Sequence, residues 1–321
     1  MTTRREFLAF SAAGLAASAL PALAEQWPAK PIRAIVPFGP GSTIDIIGRI
    51  VLEPLSQALG QPIVVENRGG AGGSIGAAAV AKSEPDGYTL LVHASAHSAA
   101  PAVYPNLPYD TAGDFAGIAV FGTVPNVTVI SPAKGIRSLR DLVAAAKKGS
   151  MSFASAGVGS ATHWAVERLR LAAGFNAVHV PFKSGPEALT QVASGEVDFM
   201  SIGVPSGMPF LHSGRLIALA VSTPTRSSAL PDVPTTLELG YPDSDYIFWN
   251  GMLAPAKTPR SIVERLHEET MKLLRQPAMA ERLKPQGIEP MPISPVQFDR
   301  LIAKEVESNQ ALVKAAGLKF N

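Results

Sequence analysis

From Lys30 to Ser222, short β-branched apolar runs alternate with stretches in which apolar residues return at helical spacing. The spacing predicts strands over 32–38, 62–66, 88–93, 127–130, 152–155, 177–182, 198–202 and 216–222. Between the first two, Ile46, Ile47, Ile50, Val51, Leu55 and Leu59 fall on one stripe of a helix over 45–59, which Pro54 is expected to kink or end early. Ser138 caps a helix over 138–148, and another spans 161–173 with Trp164, Leu169 and Leu171. Strands that alternate with helices in this way build a mostly parallel sheet, which makes the chain an α/β protein.

Past Ser222 the pattern changes to a turn-rich connection over 224–243 containing Pro231, Pro234 and Pro242, followed by a buried strand over 246–253. Thr258-Pro259 then reads as an N-cap with proline in the first turn, before Ile262, Val263, Leu266 and Leu273 at helical spacing. The chain is thus expected to leave a first lobe near 121–127, build a second, and return through 245–253. Two crossings imply two doubly wound α/β lobes on a two-stranded hinge, lobe 1 being 25–124 plus 246–321 and lobe 2 being 125–245.

The first 24 residues stand apart from this pattern. Arg4-Arg5 precede an apolar run from Ala9 to Leu20 and an A-x-A site at Ala22-Leu23-Ala24, so 1–24 reads as a Tat-type signal peptide cleaved after Ala24. A membrane anchor needs about 20 uninterrupted apolar residues, and Ser11, Ser18 and Pro21 break a shorter run. The mature protein is therefore expected to be exported and periplasmic. Composition adds exclusions: the 28 Lys+Arg against 26 Asp+Glu form no long basic block, so nucleic acid is not an expected partner. The absence of cysteine removes disulfides, thiolate metal sites and a cysteine nucleophile together. With 46% hydrophobic residues the chain can bury a core without such staples.

Small residues concentrate where strands end and helices begin: Phe38-Gly39-Pro40-Gly41-Ser42-Thr43, Gly69 to Gly76, Ser155 to Thr162, and Lys183-Ser184-Gly185-Pro186. A helix start offers unpaired N–H groups and about half a positive charge, and glycine lets an anion reach them. In open α/β sheets these strand ends line the ligand crevice. The candidate contacts are Phe38, Gly41, Ser42, Thr43 and Asp45 from the first loop and Gly73 and Ser74 from the second. Ser95 and His97 follow the third strand, and Ser155, Gly159, Ser160, Thr162, Lys183 and Ser184 come from lobe 2. Phe38, Phe248 and Trp249 are candidate aromatic walls, while Asp45 in a first helical turn equally suits a capping role.

Enzyme signatures compete with this reading. Gly72-Gly73-Ser74-Ile75-Gly76 matches G-x-S-x-G, which keeps open a secreted serine hydrolase using Ser74 with His93, His97 or His163, although several loop residues separate Ser74 from its strand. The same glycines brush a dinucleotide fingerprint, but no acidic residue follows near 93–96. His93 and His97 lack the companions of a metal site, so neither a metal nor a cofactor is expected.

In these loops the chain resembles the Bug family of extracytoplasmic solute receptors of tripartite tricarboxylate transporters. The resemblance runs through Val36-Pro37-Phe38, Val65-Glu66-Asn67-Arg68 with Gly70-Ala71-Gly72-Gly73, Pro85-Asp86-Gly87-Tyr88, Leu107-Pro108-Tyr109-Asp110, His179-Val180-Pro181-Phe182-Lys183, and Leu230-Pro231-Asp232-Val233-Pro234. It implies a type II periplasmic-binding-protein fold, no enzymatic activity and a small carboxylate ligand; the chain itself is expected to act as a monomer. The implied partners are membrane subunits of such a transporter, or a membrane sensor. It further implies that backbone amides of 38–43 and 72–74 hold the ligand carboxylate, with 155–162 contributing from lobe 2. The chain departs from the family pattern at Gly39-Pro40-Gly41-Ser42-Thr43-Ile44-Asp45, at Ser74, and at Ile202-Gly203, where the family commonly has an Asp-Asn pair.

Overall fold

A computed structural model describes residues 27–316, so the leader expected over 1–24 lies outside the described residues. Strand β1 (Ile32–Val36) buries Ile32, Ala34 and Val36 in one core and Ile35 in another, as a strand covered on both faces must. Helix α1 (Thr43–Leu59) follows, then β2 (Ile63–Asn67), α2 (Ser74–Ala81), β3 (Thr89–Ala94), α3 (Ala96–Val103) and the long β4 (Phe115–Ile130). The middle of the chain forms α4 (Leu139–Lys148), β5 (Met151–Ser155), α5 (Ala161–Ala173), β6 (Ala177–Pro181), α6 (Gly185–Ser194), β7 (Phe199–Gly203), α7 (Val204–His212) and β8 (Ile217–Val221). The remainder is β9 (Ile247–Pro255), α8 (Arg260–Leu274), α9 (Pro277–Leu283) and α10 (Pro295–Ala316).

The strands pair in the order β2-β1-β3-β9-β4-β7-β5-β6, with β8 also on β4. The two halves repeat one plan. In one, β1 pairs in parallel with β2 and β3, and β9 enters antiparallel between β3 and β4. In the other, β5 pairs in parallel with β6 and β7, and β4 enters antiparallel between β7 and β8. Phe115 to Pro125 of β4 therefore serve the first sheet and Asn126 to Ile130 the second. Each sheet is cored on both faces. Phe153 and Phe199 lie on one side of the second, Ala154 and Met200 on the other. The last helix spans the joint: Leu312 and Val313 of α10 pack with Val103 of α3 and Trp164 of α5.

Three local expectations are corrected. Helix α1 does not end early at Pro54 but runs to Leu59, closed by Gly60 in the left-handed conformation, because Leu52, Leu55 and Leu59 bury its far end in the core. The cap of α8 is Pro259, and Thr258 makes no capping bond. Strand β4 begins at Phe115 rather than near Val127, since backbone pairing with β9 carries it through Gly117, Gly122 and Pro125, which interrupt the side-chain pattern.

Candidate functional site

Five helices, α1, α3, α5, α6 and α7, start around one small cavity between the sheets. Ser42 caps α1, Ser160 caps α5 and Ser184 caps α6, each accepting a hydrogen bond from the backbone N–H three residues on. Gly203 precedes α7. Thr43 and Ile44 of α1, Ala161 and Thr162 of α5, and Gly185 of α6 line the cavity. First-turn N–H groups beyond those the serines cap have no acceptor in their own helix, and helix starts from both halves border this one cavity. Phe38, Ile202 and Phe248 complete an apolar wall, and among the described residues no charged side chain or histidine lines the space. Its volume is about 40 Å³, room for little more than one water molecule.

The halves touch across this cavity. The Ser206 hydroxyl on α7 donates to the Gly41 carbonyl at 3.0 Å and shares a hydrogen bond with the Thr43 hydroxyl at 3.1 Å. Farther along, the Tyr104 hydroxyl donates to the Val158 carbonyl at 2.8 Å. Lys183 is not at the cavity. It borders a second space of about 370 Å³ with Gly70, Gly72, Tyr104 and Glu187, and its backbone N–H donates to the Glu187 carboxylate.

Among the sequence candidates, Phe38, Ser42, Thr43, Ser160 and Thr162 are brought together at the cavity. Asp45 is held by protein: its carboxylate accepts from the Gly41 N–H, the Asn67 amide and the Arg49 guanidinium, each at 2.9 Å. That network fixes the Gly41 turn. Gly73 sits beside His93 and Phe38, and Gly159 beside Val103. The Ser95 hydroxyl accepts from the Trp249 N–H, and the Ser155 hydroxyl lies 2.6 Å from Nε2 of His179. Ser184, beyond its capping bond, faces Gly39 across the lobes.

Two candidates point away. His97 is fully buried, with Nε2 3.1 Å from the Thr111 carbonyl and its ring stacked on Tyr109 and edge-on to Phe115. Trp249 donates from Nε1 to Glu305 at 2.9 Å and packs against Phe298. Loop proximity suggested His97, and its aromatic ring on the returning strand suggested Trp249, but helix and strand phase turns them into the opposite core. Sequence reasoning missed Ser206, which carries no loop glycine signature.

The imidazoles are tuned by burial. His97 is lowered to about 4, and His93 well below its ordinary value, by desolvation, with the neighbouring His97 adding to the effect on His93. His163 is lowered to about 3 by burial and by His179, whose ring stacks on it at 3.9 Å. Ser74 has no hydrolase partner among them: its hydroxyl is buried at the start of α2 beside the Tyr109 phenol, and the His93 Nδ1 is occupied by the Ala94 N–H.

The family model of the tripartite tricarboxylate transporter family receptor matches residues 47–318. The chain belongs to that family. It is 36% identical to Protein BugT of Bordetella pertussis over 312 residues, covering 96% of this chain and 95% of that one. A Rhodopseudomonas palustris protein solved with adipate superposes with a TM-score of 0.87 at 31% identity, covering 91% of this chain and 99% of that one. MatC from the same organism, solved with bound malate, gives 0.84 at 30%, covering 89% and 100%. Periplasmic binding protein BugD superposes with a TM-score of 0.86 at 32% identity, covering 91% of this chain and 99% of that one, so the fold is that of periplasmic binding proteins and the chain is a periplasmic solute receptor rather than an enzyme, which closes the hydrolase reading.

Proposed function

We propose that this receptor captures a small carboxylate at the convergence of its helix starts and closes two lobes around it, delivering it to the membrane subunits of a tripartite tricarboxylate transporter. The observation that carries this is the set of helix starts of α1, α5 and α6 around one cavity that, among the described residues, no charged side chain lines. The adipate and malate held by two relatives agree with it. Lobe 1 is assigned to 25–124 with 246–321 and lobe 2 to 125–245, since β4 changes sheets after Pro125 and the chain returns where the Tyr246 N–H donates to Ser222 at 2.7 Å. Residues 1–24 are assigned as the twin-arginine leader and the working unit as a monomer. The cavity is too small for a dicarboxylate, so loading requires the lobes to part.

Thermal unfolding against a panel of small carboxylates tests this. At a hundredfold excess over Kd the bound acid stabilises the fold by about 2.7 kcal/mol. Lys183→Ala is expected to keep that shift and Gly41→Val to lose it. The reverse result would assign the anion to a lysine ion pair.

A further inference from the structure

At three places where the halves meet across the crevice, one of the two partners is a glycine. A Cβ at Gly39 would lie 3.0 Å from the Cβ of Ser184, one at Gly72 would overlap the Val158 carbonyl, and one at Gly203 would overlap the Thr43 side chain. The backbone of Gly72, with φ of +61°, itself favours glycine. Gly203 is different. With φ of −57° and ψ of 133° it adopts a conformation open to any L residue, and it gives α7 no side-chain cap. The three atoms nearest to its missing Cβ all belong to Thr43 of the facing half, and no atom of its own half comes as near. What the bare position serves is the approach of Thr43.

Thr43 has no way to turn aside. The added Cβ would lie 3.0 Å from the Thr43 Cβ, 2.7 Å from its Cγ2 and closer still to its Oγ1, so two of the three staggered positions on the Thr43 Cβ face it. Threonine fills two of the three positions, so every rotamer leaves one atom in the way. The Thr43 hydroxyl is also engaged by the half it abuts, sharing a hydrogen bond with the Ser206 hydroxyl at 3.1 Å and donating to the Gly203 carbonyl at 3.5 Å. Relief would have to come from moving α1 as a body, which means parting the halves.

We propose that Gly203 is a positioning residue for closure: its empty side-chain place receives Thr43 when the crevice shuts, and any side chain there props the lobes apart. The inference rests on the two-lobe closure proposed above and is independent of which acid is captured. It is also separable from a main-chain contact to ligand, because alanine keeps the backbone N–H and carbonyl of position 203.

The sequence contains no cysteine, so a pair placed across the crevice reports closure by forming a disulfide. Gly39→Cys with Ser184→Cys sets two Cβ atoms 3.0 Å apart in the shut form. A disulfide spans about 3.5–4.5 Å between Cβ atoms, so the bond forms near full closure and not with the lobes parted. The rate is read as loss of maleimide-reactive thiol in the purified, ligand-free chain under a fixed oxidant. Adding Gly203→Ala is expected to slow it about tenfold or more. Adding Thr43→Ser to that protein is expected to restore it to within about threefold, because serine can turn its hydroxyl to the one staggered position that faces away. An unchanged rate with Gly203→Ala, or a slowed rate that Thr43→Ser does not restore, overturns the inference and leaves lobe closure standing. A Gly203→Ala chain that does not fold overturns it as well, since the glycine would then serve its own half. No disulfide in the cysteine pair with Gly203 intact overturns lobe closure and the inference together.

Discussion

Gly41 and Gly73 hold the loops of lobe 1 in conformations that L side chains rarely adopt, with φ of +74° and +102°. They are not equivalent probes. A Cβ at Gly73 would fall 2.8 Å from the buried His93 ring and 3.2 Å from Phe38, so Gly73→Val damages the core as well as the site. At Gly41 the nearest atom is Pro186 at 3.6 Å, leaving mainly the left-handed penalty of about 1–2 kcal/mol. Gly41→Val should therefore fold, melt modestly lower, and fail to bind, which a melt with and without ligand checks. The buried histidines give a second prediction. An unfolded histidine titrates near 6.5, while His163 is held at about 3 and His97 at about 4. Above pH 6.5 both states are neutral and stability is full. As pH falls toward 4, only the unfolded chain takes up these protons, and stability drops by on the order of 2 kcal/mol per histidine at pH 5. Denaturant midpoints at pH 7 and pH 5 should show the fall, and His163→Gln should flatten it; an equal fall in parent and variant contradicts the assignment. The capping serines Ser42, Ser160 and Ser184 were legible in the sequence because a cap is a local pattern. Ser206 was not, since what marks it is a contact across the crevice, a property of packing.

Between elements, Ser206 is the clearest link across the crevice. Its hydroxyl meets both the Gly41 carbonyl and the Thr43 hydroxyl, tying α7 of one lobe to the start of α1 in the other. Ser206→Ala should cost about 1 kcal/mol of closure and weaken ligand affinity about fivefold, with little effect on the unliganded melt. Unchanged affinity would mean that the link forms no part of the bound state. Most strands and helices α1, α4 and α5 were readable from periodicity: α5 spans Ala161–Ala173 as its apolar spacing predicts. The first part of β4 was not, because Gly117, Gly122 and Pro125 break the side-chain pattern of a segment held by pairing with β9. The faces that His97 and Trp249 occupy were equally hidden. A loop motif fixes where a residue lies along the chain, whereas the core it enters depends on the phase of its strand or helix.

At the scale of the whole molecule, two strands join the lobes and α10 packs over the joint through Leu312, Val313 and the buried Trp164. A cavity of about 40 Å³ cannot admit an adipate-sized ligand without separation of the lobes. Small-angle scattering should accordingly detect a more extended population in ligand-free protein that contracts on saturation, and an identical profile would argue for a rigid pocket. Export belongs to this scale too: Arg4→Lys with Arg5→Lys should retain precursor in the cytoplasm, and undiminished delivery to the periplasm would contradict the twin-arginine assignment of 1–24. The two-lobed plan was visible in the sequence through the alternation of elements and the turn-rich break after Ser222; the closeness of the lobes was not, because it depends on contacts between residues far apart in the chain, such as Thr43 and Ser206. The central claim is that convergent helix starts hold a carboxylate between the lobes. A native mass spectrum of freshly purified periplasmic protein, followed by denaturation and identification of what is released, tests it most directly. The account predicts a small organic acid bound one to one. A sugar, an amine or another ligand without a carboxylate would contradict it.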